Sequence, residues 1–153
     1  MTSHITRPGR TWHAWVLAAI QLFVAYQAVS GGIGLMTNAW DLPGEYLSRT
    51  PFTTWTGPGW ILLTLVAVPQ FVAAIPALVL PGRPRLGILA GVLGGVGLLV
   101  WIALQLALLQ EYFFLQPVVA VIGLAEIVIA CLWRRRITAA GPRAVSRVEA
   151  FQA

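Results

Sequence analysis

One carboxylate, Glu126, is the only charged residue inside any membrane-length apolar run of this chain. It lies near the middle of the last such run, nine residues after Pro117 and seven before Trp133. An ionised carboxylate at that depth is costly. The side chain is therefore expected to be protonated, hydrogen-bonded or turned to a wet interior. Ala120, Gly123, Glu126 and Ala130 recur at helical spacing and share one face, and a stripe of small residues lets another helix approach there. Gln21 and Gln70 sit about nine and ten residues from the corresponding ends of their own runs, so depth alone places them in one layer with Glu126. Two chemistries fit this trio. A carboxyl bonded to two amides can specify one way of packing the helices; the same groups can hold a proton or a cation.

Nothing else in the chain assembles into a reaction centre. His4 and His13 both precede the first long run, whereas Asp41 and Glu45 lie after it, so no nucleophile, base and orienting acid converge. Two histidines nine apart do not share a helix face as a metal or haem pair. Cys131 is the only cysteine, which excludes an intrachain disulfide, a CxxC redox pair and a thiolate metal cage. No catalytic, cofactor-binding or metal-ligating residue is assigned. The chain is expected not to be an enzyme and to carry no cofactor.

The elements that must position Glu126 follow from composition. The chain has 153 residues, 58% of them apolar and 10% charged, with mean hydropathy +0.80. Soluble domains carry roughly a quarter charged residues, so this is a membrane composition of a length suited to one compact bundle. A pI near 10.7 raises the question of a nucleic-acid partner. Here, however, the basic residues flank apolar runs instead of covering a soluble face, and no nucleic acid is expected.

Four runs can be delimited. The first helix is predicted over Trp12–Met36 and the second from Pro58, a residue favourable at a first helical position, to Leu80. Pro81-Gly82-Arg83-Pro84-Arg85 is a break that neither neighbour can continue through. The third helix follows over 86–110, and a short connection over 111–116 makes the fourth, 117–133, its antiparallel neighbour. At about 25 Å, those last 17 residues are near the lower limit for a span. Arg134-Arg135-Arg136 closes the run. Ala28-Val29-Ser30 before Gly31 resembles a signal cleavage site, but the apolar stretch is longer than a signal's and is expected to remain as a span.

Arginine sets the orientation. Arg7, Arg10, Arg83, Arg85, Arg134, Arg135, Arg136, Arg143 and Arg147 fall on one side of such a bundle and only Arg49 on the other, beside Asp41, Glu45 and Glu111. The positive-inside rule then predicts an all-α four-transmembrane-helix bundle with both termini in the cytoplasm. Residues 1–136 form one domain with an outer loop over 37–57, and 137–153 a basic cytoplasmic tail in contact with anionic lipid. In that tail Val145, Val148 and Phe151 alternate with Arg143 and Arg147, which suits either a short amphipathic helix on lipid or a solvated tail. Trp40, Trp55, Trp60 and Tyr112 are expected in the outer aromatic belt, and Trp12, Trp15 and Trp133 in the inner one.

Three further features bear on packing. Gly87, Gly91 and Gly95 repeat every fourth residue, with Gly94 and Gly97 beside them. With Gly123, they would permit close helix contact either within one bundle or between protomers. Pro69 and Pro76 flank Gln70, freeing backbone carbonyls that kink a helix or line a cavity. The long outer loop, rich in aromatics, is expected to be ordered, with Thr50-Pro51-Phe52 in a turn and Phe52 tucked against the bundle.

Gly34-Leu35-Met36, Leu42-Pro43, Glu45, Leu47, Thr50-Pro51-Phe52, Pro58-Gly59 and Leu62-Leu63 together resemble a family of small bacterial four-helix membrane proteins with no assigned function. The DoxX-like proteins are similar at the level of architecture. The resemblance covers about a fifth of the chain and implies a bacterial inner-membrane setting and a structured first loop. It brings no catalytic residue. Two readings of function remain from the sequence. One is a non-enzymatic membrane protein serving as an accessory or oligomer-forming subunit, with a second copy or another membrane protein as partner. The other is a small proton-coupled transporter or ion-conducting oligomer using Glu126.

Overall fold

The computed structural model describes the backbone over residues 11–152 and side chains over 11–139. Four helices in it are long and apolar enough to cross a membrane: α1 (Trp12–Met36), α2 (Thr56–Val79), α3 (Pro84–Leu109) and the apolar part of α4 (Leu115–Ala139). No strand occurs among the described residues. The chain is a multi-pass membrane protein built as an all-α bundle. α1 packs on α2, α2 on α3 and α3 on α4; the seam between α4 and α1 is the thinnest of the four.

Local chemistry accounts for the helix ends. α1 closes in a Schellman arrangement: Asn38, at φ 50°, donates its N–H to Leu35 O at 3.2 Å, and Ala39 donates to Gly34 O at 2.9 Å. Asparagine tolerates that left-handed backbone better than most residues. α2 starts two residues ahead of Pro58, which sits in the first turn where a missing N–H is harmless. α3 likewise opens on Pro84, not Leu86, and stops at Gln110, whose φ of 52° turns the chain out of the helix.

α4 departs furthest from expectation. Its helical backbone does not stop at the three arginines but runs on to Gln152. Ile137 packs against the buried cluster around Trp133, so another helical turn is anchored beyond the arginines. The side chains of the tail beyond 139, including Arg143 and Arg147, lie outside the described residues, as do His4, Arg7 and Arg10.

α2 widens into a π-turn over Leu63–Ala67. Pro69 explains its position. The ring can neither donate to the carbonyl four residues back nor tolerate it at α-helical distance, and a wider turn relieves the clash.

The loop between α1 and α2 is ordered by its own bonds. A 3-10 turn over Gly44–Leu47 buries Leu47. Thr50 Oγ1 donates to Leu47 O at 2.9 Å and accepts from the Phe52 N–H at 3.3 Å, which makes the turn at Thr50-Pro51-Phe52. The Phe52 ring lies on Gly57, and Trp55 donates its indole N–H to Leu42 O at 3.1 Å. Tyr46 meets Phe113 edge to face across to the α3–α4 connection, with centroids 5.9 Å apart. That connection is tied down by Gln116, which accepts from Phe113 N–H and donates to Glu111 O, both at 3.2 Å.

One aromatic does not take the place expected of it. Trp133 faces the bundle and is buried against Gly87 instead of standing exposed, because the missing Cβ leaves a slot for its ring. Trp12, Trp15, Trp40, Trp60 and Tyr112 are exposed.

Candidate functional site: a buried polar layer around Glu126

Three helices bring Gln21, Gln70 and Glu126 together. All three are sealed, at 0%, 2% and 0% exposure. Gln21 and Gln70 lie nine residues from the arginine-bearing ends of their helices and Glu126 eight before Arg134, or ~12–14 Å, which is near the middle of a ~30 Å hydrocarbon core. Gln70 Nε2 donates to Gly94 O at 3.2 Å and to Glu126 Oε2 at 3.5 Å, the second at the limit of a hydrogen bond. Gln21 directs its amide at the same carboxyl without closing a bond of ordinary length.

The remaining helix, α3, contributes space. A Cβ on Gly94 would stand 2.7 Å from Glu126 Oε2 and 3.4 Å from the Nε2 atoms of both Gln21 and Gln70. The volume a side chain of residue 94 would take is therefore filled by the polar groups. This residue went unrecognised in the sequence beyond its place beside the glycine ridge. Its depth, matching that of Glu126, was the available signal.

The glycine ridge works within the bundle. Gly87 receives the Trp133 ring, and Gly91 receives Leu17 and Ala130. At Gly95 the two backbones meet: a Cβ there would lie 2.4 Å from Gly123 O, and one on Gly123 would lie 2.9 Å from Gly95 O. A second such crossing joins α1 and α2 at Gly32 and Gly59. Close backbone approach of this kind is how apolar helices associate where lipid is as apolar as their side chains.

The polar layer is sandwiched between apolar ones. Toward the arginine-bearing end lie Ala14, Leu17, Ala18, Ala74, Ala77 and Trp133; toward the loop end lie Val24, Ala28, Val66, Ala67 and Leu98. Within the layer, four buried atoms make no hydrogen bond in the protein: Gln21 Oε1, Gln21 Nε2, Gln70 Oε1 and Glu126 Oε1. Three are acceptors and one is a donor. No described helix presents a cation to the carboxyl, and no salt bridge forms there. Such a site holds the carboxyl either neutral or paired with a cation that binds to it.

Other candidates do not join this layer. His13 is buried and stacks on Trp12 at 3.9 Å, eight residues or ~12 Å along α1 from Gln21. Cys131 is exposed on the outer face. Among the described residues, no group of three or more His, Cys, Asp or Glu comes together. On the outer surface, Ala19, Ile20, Phe23, Ile122 and Ala125 line an open apolar groove of about 360 Å³ along the α1–α4 seam.

No protein-family model matches the chain, and neither a curated protein nor a solved structure matches it.

Proposed function

We propose that this chain is a non-enzymatic protein of a bacterial inner membrane that works as a small proton-coupled carrier, with Glu126 as the group that takes and releases the proton. The observation that carries this reading is the incompleteness of the buried layer. A cluster that only specified packing would satisfy its members, since each orphaned buried polar atom costs about 1–3 kcal/mol. Here three such amide atoms stand beside a lone carboxyl at mid-membrane depth that leaves one of its own oxygens unpaired. Buried polar groups that the protein itself leaves unpaired call for another partner, and beside an intramembrane carboxyl a proton or a cation supplies one. The accessory-subunit reading has less support, because the glycine ridge that would serve a partner helix is occupied by α4 and α1. The bacterial setting rests on the resemblance of the segment from Gly34 to Leu63.

Infrared spectroscopy of the reconstituted protein during a pH step tests the assignment. A carboxyl C=O band should respond, and Glu126→Gln should delete that band while the rest of the spectrum persists. A spectrum unchanged by Glu126→Gln defeats the reading.

Orientation is tested separately. The arginine distribution supports both ends inside, with the Gly44–Leu47 loop outside. In a background lacking Cys131, Ser48→Cys should react with an impermeant maleimide added to whole cells. Gly82→Cys, at a turn with open space around it, should react only after the membrane is opened. The reverse pattern would invert the topology.

A further inference from the structure

We propose that the species exchanged against the proton is an organic ammonium ion with an apolar body, reaching Glu126 from within the bilayer through the α1–α4 seam. This rests on the proton-binding reading of Glu126 and names its substrate class.

The head group follows from the unpartnered atoms. Gln21 Oε1, Gln70 Oε1 and Glu126 Oε1 are acceptors from three different helices, all buried and none engaged. A primary ammonium presents three N–H donors and one positive charge, which matches three acceptors and one carboxylate. The exchange balances: the amine leaves one proton in the water as it enters the bilayer uncharged, and on docking it takes the carboxyl's proton to give an ammonium carboxylate pair. The buried layer stays neutral in both states, with one proton released to water per ammonium bound.

The apolar body follows from the route. Along the bundle axis the layer is closed on one side by Leu17, Ala18 and Trp133 and on the other by Val24, Val66 and Leu98. A hydrated inorganic cation would have to cross one of these dry plugs. The lateral direction differs. The α1–α4 seam is the thinnest, and its outer face carries the groove of about 360 Å³. Two groove residues, Ile20 and Ala125, immediately precede Gln21 and Glu126. The groove and two of the three acceptors, Gln21 and Glu126, are therefore the outer and inner faces of the same two helical turns. A hydrocarbon or aromatic body can rest among Phe23, Ile20 and Ile122 while the head reaches inward.

Binding should weaken as pH falls, because protons compete with the ammonium for one carboxyl. No other titrating group blurs this. α1 presents Gln21 to the carboxyl, α2 presents Gln70 and α3 presents Gly94. Tyr26 and Cys131, five residues from Gln21 and Glu126 along α1 and α4, are exposed and face away from the layer, and His13 and Arg134 are each eight residues away in sequence.

Calorimetry on the full chain in lipid nanodiscs, with empty nanodiscs subtracted, provides the test, using 2-phenylethylammonium as probe. Saturable binding is expected, with about one proton released per amine as read from buffers of different ionisation heat, and affinity falling toward acid pH. Glu126→Gln should weaken binding at least tenfold, about one power of ten in Kd. Ala19→Trp fills the groove from an exposed position and should also weaken binding while leaving the infrared response of Glu126 intact. Benzyltrimethylammonium, which has no N–H, should bind far more weakly. Equal binding of that probe, displacement by equimolar sodium, or no saturable signal overturns the proposal. If the infrared band responds to pH but the amine does not bind, the substrate class alone is wrong. If neither occurs, the proton-binding reading falls with it.

Discussion

Gly95→Val is expected to be among the most damaging single substitutions in the bundle, lowering stability by about 3 kcal/mol, the upper end of the usual overpacking range. A Cβ at this position would lie 2.4 Å from the Gly123 carbonyl oxygen and 2.7 Å from Ile127. A flexible side chain can swing away from such contact, but a backbone carbonyl within a helix cannot. The α3 and α4 axes must therefore separate, and with them Glu126, whose Cβ lies 3.2 Å from the same point. Gly97→Ala is the control. Nothing lies within 4 Å of its added methyl, and alanine favours a helix over glycine by about 0.5–1 kcal/mol, so this variant should be at least as stable as the unmodified protein. Unfolding by SDS titration in mixed micelles measures both. Comparable stability of the two variants would mean that the backbones do not meet at Gly95 and Gly123.

Glu126→Leu should lower stability by about 1–3 kcal/mol, whereas Glu126→Gln should stay within about 0.5 kcal/mol of the unmodified protein. Leucine has nearly the right volume but leaves Gln70 with only its bond to Gly94 O, and Gln21 facing hydrocarbon. Glutamine keeps an acceptor oxygen within reach of Gln70 Nε2 and adds a donor that can meet one of the stranded amide oxygens. Thermal melting in detergent separates the two variants. Taken with the loss of the infrared band, a stable but unresponsive Glu126→Gln protein isolates proton binding from folding. A Glu126→Leu protein as stable as the original would show that the carboxyl contributes nothing to packing.

The spans were legible because hydropathy over about twenty residues is a strong signal, and proline and arginine punctuate it. The first helix coincides with its expected limits, and the second and third differ by one or two residues at their ends. The fourth extends past Arg134, because charge marks the end of the apolar stretch and not the end of the helix. Propagating an existing helix adds one hydrogen bond for each residue fixed, and Ile137 anchors it beyond the arginines. Depth counting placed Gln21, Gln70 and Glu126 in one layer, because the helical rise is constant and all three sit at similar distances from their arginine-bearing ends.

Spacing along the chain sets the number of helices, their approximate limits and the depth of each polar residue within its helix. Which faces meet was decided only by the tertiary structure. These helices are apolar nearly all round, so lipid and core select no stripe, and the polar and small residues alone mark an interior side. Hence Trp133 could be read as an interfacial anchor, when in fact Gly87 on another helix holds a slot for its ring. The role of Gly94 was equally hidden, since a glycine's importance lies in what occupies the space it leaves, here the carboxyl of Glu126 from a helix distant in sequence. The α1–α4 seam and its groove exist only because those two helices, first and last in the chain, close the ring loosely. Spacing along the chain carries no information about that closure, which depends on side-chain shapes meeting across the full length of the sequence.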